Sequence, residues 1–188
     1  WCLETVCEQI AAWGPELPPG FRVAVNLSSP EFLHPSLIDR IVETLQRTGV
    51  SGSALRLEIT EATVVTELDF AAERMNSLRA HGIEFALDDF GTGYSSLTYL
   101  RRLPVSEVKI DRSYVRRLLH DPADAAIVRA ILALCDSLGL RAVAEGVETE
   151  AQLPSARRRL SLVPGLPVRP PSAATGRPAN SPPHSRSS

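Results

Sequence analysis

Two hydrophobic rhythms alternate along the chain. Leu3, Val6, Cys7, Ile10 and Ala11 recur at the spacing of one helical face and predict a helix over 2–13. Gly14, Pro15 and the Pro18-Pro19-Gly20 run end it. The β-rich run FRVAV, residues 21–25, then terminates on Asn26. Pro30 opens a short turn, and Leu37, Ile41, Val42 and Leu45 mark a second helix that ends before Gly49. A strand over 55–59 contains Glu58 and ends at Thr60 and Glu61. Helical spacing returns at Phe70, Met75 and Leu78 and stops before Gly82. A third strand, 83–87, stops on Asp88 and Asp89, and a glycine-rich turn leads to a helix expected over 97–103. Pro104 separates that helix from a strand over 107–110, which reaches Asp111. Asp121 and Pro122 cap a long amphipathic helix through Ile127, Ile131, Leu134 and Leu138, which Gly139 stops. A fifth strand, 141–144, ends at Glu145, and a further helix begins at Thr149.

Strands that alternate with helices, with few hairpin signals, specify an α/β fold with a parallel sheet. Every strand ends on or just before a polar group: Asn26, Glu58, Asp88 with Asp89, Lys109 with Asp111, and Glu145. In a (β/α)8 barrel the strand C-terminal ends converge on one face, where the active site is built. An open doubly wound sheet also binds ligands at strand ends and is the alternative, although no Gly-x-Gly-x-x-Gly follows the first strand.

Composition changes the picture in two places. The chain has 188 residues, 44% of them hydrophobic, and a net charge of −2, which describes one globular domain. No acidic residue follows Glu150, whereas six arginines do. Neither part has the basic stripe of a nucleic-acid binder, so no nucleic-acid polymer is expected as partner. Cys2, Cys7 and Cys135 share no ligand spacing and fit a reduced, cytoplasmic setting. No apolar run is long enough to span a bilayer. The start at Trp1 inside a helical pattern reads as a fragment of something longer.

The chemistry concentrates where the third strand ends. Adjacent buried carboxylates repel each other unless a cation faces them, and oxygen-only ligands suit Mg²⁺ or a similar hard ion. A solvated turn with a helix cap is the plainer reading of the same residues. Lys109 is the only lysine against nineteen arginines, and it lies inside a strand between Val108 and Ile110. A compact ammonium there can hold a water or a phosphate oxygen, or simply pair with a neighbouring acid.

With VAVNLSS (23–29), LRLEITE (55–61), FALDDFGTGYSSLTYL (85–100), VKIDRSYV (108–115) and VAEGVET (143–149) in this order, the chain resembles the EAL-domain family of cyclic-di-GMP phosphodiesterases. The resemblance covers about residues 1–153. It implies a (β/α)8 TIM-type barrel that hydrolyses cyclic-di-GMP to linear pGpG with two Mg²⁺ or Mn²⁺ ions. It also implies that Asn26, Glu58 and Asp88 ligate one metal and that Asp88 and Asp89 hold the second. Lys109 and Glu145 are implied to orient and deprotonate the attacking water. Glu61 is implied to anchor the loop after the third strand, with Glu148 and Asp111 in support. A homodimer and an upstream sensory or GGDEF domain are partners that the resemblance allows.

Two features depart from the family pattern. No Glu-Ala-Leu or Glu-Val-Leu occurs in the chain, so the barrel is expected to be incomplete, lacking its first and last strands. Water would then replace the missing glutamate oxygen at the first metal. Residues 154–188 hold eight of the fifteen prolines with no acid, which predicts a disordered tail. Its Arg/Pro/Ser-rich text resembles a GC-rich gene read out of frame, the alternative being a Pro-rich linker. Activity is therefore expected to be impaired in this truncated chain, and a non-catalytic cyclic-di-GMP-binding or interaction module, or an inactive gene remnant, stands as the alternative function.

Overall fold

A computed structural model describes residues 2–14, 17–91 and 99–147. Five strands, β1 (Val23–Asn26), β2 (Leu55–Thr60), β3 (Glu84–Phe90), β4 (Glu107–Ile110) and β5 (Arg141–Ala144), form one sheet in chain order. All four pairings are parallel. A parallel neighbour can be reached only by a crossover, and helices supply it. A doubly wound sheet reverses its strand order at a switch point. No reversal occurs among the described strands, so the α/β fold is of the barrel type.

The helices are α1 (Cys2–Trp13), α2 (Ser29–Leu33), α3 (Leu37–Thr48), α4 (Glu61–Thr66), α5 (Leu68–Arg79), α6 (Arg112–Arg117) and α7 (Pro122–Leu138). Leu55, Leu57 and Ile59 of β2, with Phe85 and Leu87 of β3, are fully buried on the sheet's helix-covered side. Ile41, Met75, Leu78, Val115 and Ile131 meet them from the helices in one continuous core. Among the described residues no helix is long and apolar enough to cross a membrane.

The long helices stand where the apolar spacing puts them, and three short ones were not expected. α2 replaces the turn at Pro30. Its start carries the capping box Ser28-x-x-Glu31, in which Glu31 Oε2 accepts from the Ser28 amide at 3.0 Å and from its hydroxyl at 2.5 Å. α4 and α6 each follow a strand directly, and six residues are too few to show a helical period. β3 does not stop on the acids but runs through them to Phe90. The helix expected over 97–103 is not borne out in its described part. Tyr99, Leu100, Arg101 and Arg102 form a turn, with the amides of Arg102 and Leu103 both donating to the Tyr99 carbonyl. Pro104 disfavours helical backbone at the residue before it, which ends any continuation. Residues 92–98, the helix beginning at Thr149 and the tail 154–188 lie outside the described residues.

The other side of the sheet is charged, and it is layered. Arg22, Arg56, Glu84, Glu107 and Arg141 stand at the N-terminal ends of the five strands and pair with one another. Arg56 Nη1 lies 3.0 Å from Glu107 Oε2, and its Nη2 lies 3.1 Å from Glu84 Oε2. Arg22 reaches Glu84 at 2.8 Å and Arg141 Nε reaches Glu107 at 2.9 Å. Burial pushes the Glu84 carboxyl up, but hydrogen bonding from Arg56 and the charges of Arg22 and Arg56 hold it below the usual glutamate range. Its contribution to stability is therefore present above the unfolded value of about 4.3 and is lost as pH falls through the lower folded value.

Glu107 is 2% exposed and bridges two arginines. Glu107→Gln should therefore cost about 3–5 kcal/mol, because Arg56 would keep a buried charge with half its partners. Urea unfolding at pH 7 measures this, and a loss under about 1 kcal/mol would show that the network is not holding the strand starts together.

Candidate active site

Side chains two and four residues further along the same strand face form the second layer, because successive residues of a strand alternate sides. Glu58 follows Arg56 on β2, Lys109 follows Glu107 on β4, Asp88 follows Glu84 on β3, and Glu145 follows Arg141 beyond β5. Lys109 Nζ is the centre of this layer. It lies 2.6 Å from Glu58 Oε2, 2.7 Å from Glu145 Oε1 and 3.1 Å from Asp88 Oδ1. Burial lowers the pKa of an ammonium, yet hydrogen bonds to Glu145 and Glu58 and the charges of Glu58 and Asp88 hold Lys109 above the usual lysine range.

Asp88 and Asp89 would point to opposite faces in a regular strand. The register between β3 and β4 shows why they do not. Leu87 pairs with Val108 and Phe90 with Ile110, so two residues of β3 stand opposite Lys109 alone. This is a β-bulge, and it re-aims the side chains it carries. Asp89 takes φ 54°, the one positive φ among the described non-glycine residues. That left-handed conformation is tolerated by aspartate at modest cost because its short polar side chain bonds locally. Carboxylate oxygens of Asp88, Asp89 and Glu145 consequently lie within 4.8 Å of one another. Burial, then the charges of Asp88, Asp111 and Glu145, push the Asp89 carboxyl up. An all-oxygen anionic set of this kind fits a hard divalent cation, which would offset the repulsion that raises the Asp89 carboxyl.

Of the other residues singled out by the sequence, Asn26, Glu61 and Asp111 stand at or just past the C-terminal ends of β1, β2 and β4. Asn26 is exposed at the end of β1 in register with Glu58, and it lines a cavity of about 270 Å³ with Val25, Leu27 and Ile41. The Asp111 side chain caps α6 by accepting from the Ser113 amide at 2.9 Å. Burial raises the Asp111 carboxyl, but the Ser113 bonds and a hydrogen bond with Asp89 bring it below the usual range. Glu61, 3% exposed at the head of α4, accepts from the Gly91 amide at 3.0 Å. Glu148 lies outside the described residues.

Three groups had no signal in the spacing. Tyr114 on α6 donates its hydroxyl to the Gly91 carbonyl at 2.5 Å. The buried Tyr99 hydroxyl faces Glu61, and burial, then that carboxylate, push its pKa upward. The arginine–glutamate layer beneath the cluster was visible only as charges alternating with apolar residues in LRLEIT and EVKI.

A family model described as EAL domain matches residues 1–160. The chain is 47% identical over 152 residues to the bifunctional diguanylate cyclase/cyclic di-GMP phosphodiesterase MucR of Pseudomonas aeruginosa. That match takes in 81% of this chain and 22% of MucR, so the chain spans about a fifth of this relative's length. Its fold superposes on a structure described as the PaMucR phosphodiesterase in complex with c-di-GMP. The TM-score is 0.80 and the identity 46%, over 84% of this chain and 64% of that one. A manganese/cy-diGMP complex of Klebsiella pneumoniae BlrP1 matches with a TM-score of 0.69 and 31% identity, over 81% and 39% of the two chains.

Proposed function

Because the chain belongs to the EAL-domain family, we propose that it is the phosphodiesterase part of a signalling protein and opens cyclic-di-GMP to linear pGpG with divalent metal ions. The observation that carries this reading is the convergence of Asp88, Asp89 and Glu145 on one point beside Lys109, at the C-terminal ends of parallel strands. Asp88 and Asp89 would hold the ions, with Glu58 and Asn26 contributing from β2 and β1. Divalent ions bound there would neutralise the charge that develops on the phosphate oxygens.

The chain's own groups would do the rest. Lys109 would donate to the attacking water and fix its direction, and Glu145, in contact with Lys109, would accept its proton. The water oxygen bonds to phosphorus, the bond from phosphorus to the 3′ oxygen breaks, and that oxygen takes a proton from solvent water to leave as a hydroxyl, while Glu145 returns the proton it accepted to solvent. Glu61, through the Gly91 amide, would hold the turn that follows β3. Asp111, which caps α6 beside Asp89, would support that carboxylate's surroundings.

The test is turnover by the full chain. Cyclic-di-GMP incubated with it and Mn²⁺ or Mg²⁺ should give pGpG by chromatography, and excess chelator should stop product formation. Product that persists under chelation, or none from a chain whose circular dichroism shows it folded, counts against the reading.

A further inference from the structure

The bulge that aims Asp88 and Asp89 to one side is pinned at both ends, and one pin belongs to a residue with no role so far. Upstream, Leu87 pairs with Val108, and downstream, Phe90 pairs with Ile110. The next residue, Gly91, is held by both halves of its backbone. Its amide donates to Glu61 at 3.0 Å and its carbonyl accepts from the Tyr114 hydroxyl at 2.5 Å. The two holders come from opposite flanks, Glu61 from the helix after β2 and Tyr114 from the helix after β4.

We propose that Tyr114 is a positioning residue, whose hydroxyl fixes the Gly91 peptide and thereby keeps the two adjacent carboxylates of β3 aimed at the same point. The inference rests on the metal-site reading above. The left-handed conformation of Asp89 carries a modest cost, which contacts in its surroundings help to offset. Freed at Gly91, the end of β3 could relax toward regular pleating, which would turn one carboxylate away. The ring and the hydroxyl of Tyr114 do separate things. The ring closes over Gly91, where an added Cβ would meet Tyr114 Cε2 at 3.2 Å and Ile131 Cδ1 at 3.3 Å. Gly91 itself sits at φ 99°, a conformation that other residues rarely adopt. Phenylalanine at 114 keeps the ring and deletes only the bond to the carbonyl.

Tyr114→Phe in the full chain is therefore the experiment, with two readouts. The first is Mn²⁺ affinity, from the free-ion electron paramagnetic resonance signal, expected to weaken about tenfold, as when a residue supporting a metal ligand is lost. The second is hydrogen exchange at the Gly91 amide in metal-free buffer, expected to speed up about tenfold while core amides are unchanged. A purely structural role would move exchange or melting temperature and leave the affinity of the folded protein alone. Faster exchange with unchanged Mn²⁺ affinity, or no change in either, overturns the proposal. If the parent chain itself binds no Mn²⁺, the metal reading fails, and exchange at Gly91 alone decides whether Tyr114 holds the turn.

Discussion

Asp89→Asn should lower pGpG formation by about 10³-fold or more while leaving the melting temperature within a few degrees of the parent. The expectation follows from separating what the backbone and the carboxylate do at this position. Asparagine, like aspartate, tolerates the left-handed region, so φ 54° and the bulge should survive the substitution. Only the charge is removed. A metal-held phosphoryl transfer draws several kcal/mol from its ions, and each 1.36 kcal/mol is a factor of ten in rate. Asp88→Asn should lose as much, since Asp88 also faces Lys109 at 3.1 Å. Asp89→Ala should lose activity and stability together, because alanine resists positive φ by roughly 1–2 kcal/mol. Turnover by Asp89→Asn within a few-fold of the parent would mean that the third carboxylate of the cluster holds nothing the reaction needs.

The same bulge marks the limit of what the chain's text discloses. That acids end the third strand is legible, because an apolar run of period two breaks there. That both acids serve one point is not, because it depends on Phe90 pairing with Ile110 one residue out of step, a property of two strands rather than one. Lys109 stands out as the lone lysine, but its three carboxylate partners come from β2, from β3 and from just beyond β5. The short helices α4 and α6 escape notice because their capping residues, Thr60 and Asp111, also read as strand ends. Tyr114 is the least legible residue of all. Its partner is a backbone carbonyl, and no side-chain pattern encodes that. Charges inside LRLEIT and EVKI announce a polar inner face, whereas the division into an arginine–glutamate layer below and a lysine–carboxylate layer above appears only once the register is known.

Lys109 is where those two kinds of information meet, and its substitutions should separate charge from chemistry. Lys109→Met should cost about 3–5 kcal/mol at pH 7, because Glu58, Asp88 and Glu145 would face one another with their shared cation gone. Millimolar Mn²⁺ should restore more stability to this variant than it adds to the parent, since a divalent ion is then the available counter-charge. Turnover should not return with it, because methionine cannot donate to a water. Lys109→Arg should recover most of the stability and little of the activity. Its charge is retained, but a planar fork cannot occupy the point that a compact ammonium holds within 3.1 Å of three carboxylates. Urea unfolding with and without Mn²⁺, beside pGpG chromatography, reads all of these. A methionine variant as stable as the parent would remove Lys109 from the role of internal counter-charge. A fully active arginine variant would remove it from the role of holding the water, and would leave that role to Glu145 alone.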